Sequence, residues 1–302
     1  MENSYKSPYE SWKRRKANPA QSRFVMLAIG LFTVLTVYFT VIIGNIFLTE
    51  LTPNVSPDAR GFLTMYGPYV LTLFSFLVMT YFTSKPIFNS YFTGMRGNNM
   101  LYMTVGGITG LLITAICVLP ALMCSDIQLA PIKPTGSSIA KVIGLFILLF
   151  VQGAADEVAF RGYLFRNGLT RMPLWMNFAY NALLYGLMYC YFTNFHLLSI
   201  INIIIASYGF AFCVHYFESL WMAIGMHVMW NFSQFFIFGL PNEGNLGQLS
   251  LWHVNETISG FFYSSETGIL GAPFGVIVTI LFTALILFMG KNFRQEMDER
   301  DS

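Results

Sequence analysis

The most informative stretch of the sequence is GAADEVAFRGYLF, residues 153–165, which lies at the end of a long apolar run that begins near residue 139. It places Asp156, Glu157 and Arg161 in sequence that otherwise has the composition of a membrane span. A charged side chain near the bilayer centre costs roughly 2.5–3.5 kcal/mol on insertion scales. Three ionisable groups in one such run therefore indicate a polar site buried inside a membrane protein.

The composition of the whole chain is that of a polytopic membrane protein. Of its 302 residues, 55% are hydrophobic and only 11% are charged, and the mean hydropathy is +0.57. So few polar residues could not cover the surface of a soluble domain. Because about 20 apolar residues cross a bilayer as a helix, the pattern predicts an all-α fold with about eight transmembrane helices, near residues 24–48, 61–84, 99–124, 139–165, 174–192, 196–215, 219–239 and 269–290.

The placement of Lys and Arg predicts that both termini are cytoplasmic. Basic residues cluster before the first span, whereas the loop 240–268 contains no Lys or Arg, and cytoplasmic loops carry the excess of basic residues. The chain is divided into a basic tail (1–23), a membrane domain (24–290) with a motif-bearing core (139–238), and a C-terminal tail (291–302). The basic tail is expected to set the topology, with contact to anionic membrane lipid as the second reading.

Several classes of site are not indicated by the sequence. The four cysteines lie in or beside apolar segments, without CxxC or His/Cys spacing, so neither a disulfide framework nor a zinc knuckle is predicted. There is also no glycine-rich phosphate loop and no nucleic-acid-binding module.

Helix geometry divides the three charges of the opening stretch. Glu157 and Arg161 are four residues apart, so they share one helix face and are expected to form an ion pair. Asp156 projects about 100° away from Glu157. Asp156 is thus left over and requires either a wet cavity or a second polar partner.

A second polar pair, His227 and Asn231, lies within the apolar run MAIGMHVMWNF. A lone histidine in an apolar helix is usually a packing residue. A His–Asn pair on one face, in a chain with an acidic pair in another span, favours a shared site instead. Counting from the predicted helix ends puts both sites at a similar depth, where they would line one cavity open to the cytoplasmic side.

DEVAFRGYLF followed by HVMWN resembles the motif set of the CPBP (CAAX protease and bacteriocin-processing, or Abi) family of intramembrane proteases. Members of that family carry EExxxR, then FxxxH in the next span, then HxxxN or a similar ending. The resemblance covers roughly residues 139–238. The flanking sequences FRGYL and SLWMAIGMH make it more specific than the bare spacing.

The resemblance implies a role for each matching residue. Asp156 takes the place of the first Glu, which acts as general base on the attacking water. Glu157 matches the second Glu, and Arg161 matches the arginine that supports it. His227 and Asn231 match the third motif, which polarises the scissile carbonyl and stabilises the oxyanion.

Two positions depart from the family pattern. Asp156 withdraws the carboxylate by one methylene, about 1.5 Å. Where FxxxH is expected the chain reads YGLMY, so Tyr185 and Tyr189 replace Phe and His. A phenol, with an ordinary pKa near 10, is a poor proton shuttle at neutral pH. The predicted helix ends also place Tyr189 nearer the outer surface than Asp156.

A literal FxxxH does occur a little later, as FTNFH in residues 192–196, which makes His196 a possible substitute for the motif histidine. It lies about 10 Å further along the helix, toward the outer surface. A histidine that caps the following helix is the simpler interpretation of this residue.

The resemblance and the two departures from it leave two functions open. The first is an intramembrane endopeptidase of the CAAX-protease type, which processes a peptide or a lipidated protein, with bacteriocin maturation or self-immunity as a compatible biological role. The alternative is a catalytically impaired member that acts as a scaffold or regulator of a partner membrane protein. A divalent metal is conceivable, but one histidine and an acidic pair are a poor zinc set. The expected location is the bacterial plasma membrane.

Overall fold

The computed structural model describes residues 19–55, 57–92, 98–131, 136–190, 195–240 and 250–300. Most of the predicted basic tail lies outside these residues. The described chain forms ten helices and two short strands, in the order α1 (Pro19–Leu51), α2 (Pro57–Tyr66), α3 (Pro68–Thr83), α4 (Lys85–Ser90), α5 (Asn99–Met123), β1 (Ile127–Pro131), α6 (Gly136–Glu157), α7 (Leu174–Tyr189), α8 (Leu197–Tyr216), α9 (Leu220–Phe232), β2 (Trp252–Thr257) and α10 (Pro273–Arg300).

The polytopic all-helical fold is confirmed, but the predicted count of eight spans is not. Within the described residues, six helical segments are long and apolar enough to cross a membrane; they are Arg23–Leu51, Leu63–Thr83, Asn99–Met123, Val142–Gly168, Leu197–Tyr216 and Pro273–Glu296. The other two predicted spans correspond to α7, with 16 residues, and to α9, whose 13 α-helical residues are followed by the five-residue π-helix Ser233–Ile237. Both are shorter than the roughly 20 residues that a bilayer requires.

Helix α6 lies at the centre of the bundle, in contact with α3 and α9 along its length and with α1, α7 and α8 near its end. Its face toward these neighbours has no lipid to meet, which is why this helix can contain ionisable residues. The last helix, α10, packs mainly against α8 and continues to Arg300, so residues 291–300, expected as a tail, are helical.

Beyond Glu157, α6 continues as a π-helix, Val158–Phe165, before a final α-helical turn, Arg166–Gly168. Two buried asparagines of α7 stabilise this wider segment. The side-chain amide of Asn181 donates to the carbonyl of Phe160 at 2.8 Å, and that of Asn177 donates to the carbonyl of Phe165 at 2.8 Å. π-Helical turns are rare and occur frequently at functional sites. The sequence pattern predicted a continuous helix here and did not reveal the change.

Helices α5 and α9 cross at very short range because glycines line the contact. A Cβ atom added at Gly106 or Gly110 of α5 would overlap the backbone of α9, and one added at Gly225 would overlap the backbone of α5. This small-residue contact is the usual means by which membrane helices approach closely. It fixes the position of α9, which contains His227 and Asn231.

The two strands form an antiparallel ribbon that the sequence analysis did not predict. β1 follows α5, and β2 lies in the long segment before α10; Ile127 is opposite Thr257, and Pro131 is opposite Trp252. The ribbon ties the C-terminal end of α5 to the segment that leads into the last helix.

Candidate active site

The acidic residues of α6 lie in the interior of the bundle. Asp156, Glu157 and Arg161 each have 0% of their surface exposed, and His227 has 5%. Charges this deeply buried are stable only when they are paired and hydrogen-bonded. Their partners therefore define the site.

Glu157 is the centre of the first network. Its Oε1 accepts a hydrogen bond from Arg161 at 3.2 Å and lies 3.0 Å from Nδ1 of His227. The predicted pairing of Glu157 with Arg161 is thus present, and Glu157 also orients the imidazole from α9. A carboxylate that holds one ring nitrogen of a histidine fixes the direction of the other, as in catalytic triads.

Helix α8 completes this first network with residues that the sequence analysis missed. Arg161 donates a hydrogen bond to Oγ of Ser207 at 2.8 Å. The guanidinium carbon of Arg161 also lies 5.0 Å from the ring centre of Phe210 of α8 and 4.1 Å from that of Tyr185 of α7. The ring of Phe210 in turn stacks on His227, with centroids 5.4 Å apart. Cation–π contacts of this kind stabilise a desolvated cation, and nothing in the sequence of α8 pointed to the roles of Ser207 and Phe210.

Asp156 belongs to a second, separate network. Its Oδ2 accepts hydrogen bonds from the hydroxyl of Tyr189 at 2.6 Å and from Nε2 of Gln152 at 2.8 Å. The same Nε2 lies 3.3 Å from the Tyr189 hydroxyl oxygen. On its other side, Oε1 of Gln152 accepts from Nδ2 of Asn231 at 3.0 Å. Asp156, which the sequence left without a partner, therefore has two.

Tyr189 occupies the place beside Asp156 although it ends α7. A helical side chain leans toward the N-terminus of its own helix, so the phenol extends back along α7 to the depth of Asp156. This direction removes the difference in depth that the helix ends implied. His196 is not brought to the carboxylate; its Nδ1 accepts from the backbone N–H of Ser199 and caps α8.

The site is closed around its carboxylates. The expected cavity open to the cytoplasmic side is not seen at Asp156 or Glu157, because the surrounding described residues leave neither of them any exposed surface. The polar residues of the site that keep more exposure are Tyr189 and Asn231. One oxygen of each acid, Oδ1 of Asp156 and Oε2 of Glu157, has no hydrogen-bond partner among the described residues.

The donor set does not fit a zinc site. Within the described parts of the chain, no group of three or more His, Cys, Asp or Glu side chains is arranged to hold one. Protein zinc sites usually have three such ligands and an open position. The acids of this site are held instead by Arg161, Tyr189 and Gln152.

Part of the chain matches a known protein family. The family model described as type II CAAX prenyl endopeptidase Rce1-like matches residues 138–233. The matched residues, which we call the Rce1-like segment, confirm the predicted resemblance to the CPBP family. The Rce1-like segment is about a third of the chain and runs from α6 to the start of the π-helical turn after α9. No curated protein and no solved structure gave a match.

The Rce1-like segment contains both networks. Gln152 and Asp156 lie near its beginning and Asn231 near its end, so the hydrogen-bonded side chains named above are inside it. The match supports a CAAX-protease-like intramembrane endopeptidase, and the apolar helices make the protein an integral, multi-pass membrane protein.

Proposed function

We propose that this protein is an intramembrane endopeptidase that hydrolyses a peptide bond in a peptide or in the tail of a lipidated protein. The observation that carries the proposal is the asymmetry at Asp156. Both of its hydrogen bonds fall on Oδ2, and Oδ1 has no partner among the described residues. A carboxylate held by one oxygen and free at the other is suited to take a proton from water.

The proposed reaction uses both networks. Oδ1 of Asp156 accepts a proton from water as the water oxygen attacks the scissile carbonyl carbon. The oxyanion that forms is stabilised by hydrogen bonds from His227 and Asn231. Glu157 holds His227 in place, and Arg161 balances the charge of Glu157. The proton then passes from Asp156 to the leaving nitrogen, which gives a carboxylic acid and an amine.

The substrate class follows from the location of the site. A buried site among apolar helices favours a substrate that arrives through the bilayer, and a lipid-modified peptide partitions there because each buried CH₂ contributes about 0.8 kcal/mol. The substrate is expected to enter beside Tyr189 and Asn231, the more exposed polar residues of the site. This direction of entry differs from the cytoplasmic cavity expected from the sequence.

The test is cleavage of a quenched fluorescent peptide with a farnesylated CAAX ending by the purified protein in lipid nanodiscs. We expect cleavage by the wild type, a loss of at least about a thousandfold in Asp156→Asn and His227→Ala, and weaker cleavage of the same peptide without the farnesyl group. Gln234→Leu is the control, because Gln234 is as buried as His227, at 5% exposure, and takes no part in the proposed reaction. Wild-type activity that survives in Asp156→Asn would contradict the proposal.

A scaffold without catalytic activity is the second candidate, and one observation favours it. Asp156 has no exposed surface and is held by two donors, as a purely structural carboxylate would be. In this case the protein would regulate a partner membrane protein, and bacteriocin self-immunity in a bacterial plasma membrane is compatible with either candidate. Expression in bacteria challenged with a bacteriocin separates them: protection that persists in Asp156→Asn supports the scaffold, and protection lost with cleavage supports the enzyme.

A further inference from the structure

Gln152 of the acidic helix α6 hydrogen-bonds to Asn231 near the C-terminal end of α9. It lies one helical turn before Asp156 on α6 and is 5% exposed. Its Oε1 accepts from Asn231 at 3.0 Å, and its Nε2 donates to Asp156 at 2.8 Å and lies 3.3 Å from the Tyr189 hydroxyl. It matches none of the family motifs described above.

The orientation of this amide is fixed by its neighbours. An ionised carboxylate only accepts hydrogen bonds, so the NH₂ end of Gln152 must face Asp156 and the carbonyl end must face Asn231. The carbonyl in turn requires a donor from Asn231, which turns the NH₂ group of Asn231 toward α6. One hydrogen of that NH₂ group is used by Gln152, and the second remains for another acceptor.

The hydrogen bonds also orient Asp156. Gln152 and Tyr189 both donate to Oδ2, and Gln152 lies within hydrogen-bonding distance of Tyr189, so the three side chains form a closed triangle. Two donors on one oxygen restrict rotation of the carboxylate and determine where Oδ1 points. An aspartate whose reach is one methylene shorter than that of glutamate depends strongly on this direction, since a displacement of about 1 Å can cost about a hundredfold in rate.

We propose that Gln152 is a positioning residue, which aims Oδ1 of Asp156 at the attacking water and the NH₂ group of Asn231 at the oxygen of the substrate carbonyl. This inference rests on the proposed endopeptidase activity for its kinetic consequence. The orientation of Asp156 by Gln152 is measurable without any substrate, so the two proposals can fail separately.

The kinetic experiment uses Gln152→Met, which keeps the approximate shape and removes the hydrogen bonds. With the farnesylated CAAX peptide we expect kcat to fall about 10- to 100-fold and KM to stay within about twofold. Because residues that act as a unit are not additive, Gln152→Met should cost less activity in an Asn231→Ala background than in the wild type, with the remaining loss due to Asp156. The matched control Gln234→Leu should keep wild-type kcat. Full additivity, or an effect on KM alone, would overturn the inference.

The substrate-free experiment is infrared spectroscopy of the carboxyl band that Asp156→Asn removes. We expect this band to shift in Gln152→Met and in Tyr189→Phe, since each variant removes one donor from Oδ2, and to stay in place in Gln234→Leu. If Gln152→Met does not fold, Gln152→Leu also removes the donor without adding a carboxyl group, and the same shift is expected. An unchanged band, or the same shift in the control, overturns the inference. A shifted band in a wild type that cleaves nothing refutes the proposed function and leaves the orienting role intact.

Discussion

Asp156 and Glu157 are adjacent in the sequence, yet they belong to different hydrogen-bond networks. Adjacent helical residues point about 100° apart, so Glu157 faces Arg161 and His227 while Asp156 faces Tyr189 and Gln152. The positive charge of Arg161 balances that of Glu157. Among the described residues, Asp156 accepts hydrogen bonds only from the neutral side chains of Tyr189 and Gln152, which leaves its charge available for proton transfer.

We propose that the departures from the family motifs at Asp156 and Tyr189 compensate for each other. Aspartate shortens one side of the contact by about 1.5 Å, and tyrosine lengthens the other by roughly 2 Å relative to histidine; together they give an O–O distance of 2.6 Å. The two replacements are thus parts of one contact rather than independent losses.

Exchange of both residues tests this compensation. We expect Asp156→Glu alone to crowd Tyr189, and Tyr189→His alone to leave Oδ2 without its phenol donor, each with about a 10- to 100-fold loss of peptide cleavage. The double variant restores both lengths and should recover to within about tenfold of the wild type. Losses that simply multiply in the double variant would show that the two positions are not coupled.

The buried ion pair makes a separate prediction for stability. Arg161→Met leaves Glu157 without its cation at 0% exposure, and removal of one partner of a buried pair typically costs about 3–5 kcal/mol. We expect a decrease of that size in the free energy of unfolding, measured by SDS titration in mixed micelles. The double variant with Glu157→Leu should lose less, because no unpaired charge remains. An equal or larger loss in the double variant would contradict this explanation.

At the scale of elements, the approach of α9 to its neighbours depends on glycine. Gly225 permits the close crossing with α5, and Gly153 of α6 lies against Val228 and His227. Since membrane helices have little hydrophobic drive to associate, close packing is the main source of their affinity. The position of His227 relative to Glu157 is therefore set by residues that have no polar groups of their own.

Alanine at Gly225 should disturb this crossing. Its Cβ would overlap the backbone of α5, whereas a Cβ at Gly144 of α6 would meet nothing within 4 Å. We expect Gly225→Ala to lower the free energy of unfolding by about 1–3 kcal/mol. The control Gly144→Ala should leave it unchanged or raise it by up to about 1 kcal/mol. SDS titration measures both variants, and equal effects would exclude a specific role for the α5–α9 contact.

At the scale of the whole molecule, the β1–β2 ribbon constrains the topology. Pairing requires the C-terminal end of α5 and the segment before α10 to lie at the same end of the bundle. The Lys and Arg distribution assigns both to the outer side. The ribbon and the charge pattern are therefore consistent with each other.

Cys124, which directly follows α5 and is exposed, reports the orientation. In a Cys190→Ser background, which removes the partly exposed cysteine, we expect a membrane-impermeant maleimide to label Cys124 in intact cells. Adding Cys124→Ser should abolish that labelling, because Cys117 and Cys213 are buried. With both replacements as background, Lys85→Cys should be labelled only after the cells are permeabilised. Labelling of Cys124 only in permeabilised cells would reverse the predicted topology.

The membrane class and the polytopic helical fold could be predicted from the sequence, and the motif residues of the Rce1-like segment could be recognised in it. These properties depend on local composition and on spacing along single helices, as for Glu157 and Arg161 at i and i+4. The predicted count of eight spans is not confirmed, because α7 and α9 are shorter than a bilayer requires.

Contacts between side chains of different helices could not be predicted from the sequence and are seen only in the tertiary structure. The contact of Tyr189 with Asp156, the role of Gln152 between α6 and α9, and the stack of Phe210 on His227 join residues far apart in the sequence. Hydropathy and helical periodicity describe one helix at a time and contain no information on such pairs. The distances on which these hydrogen bonds depend are fixed by the packing between helices, which glycine contacts and the π-helical turn set.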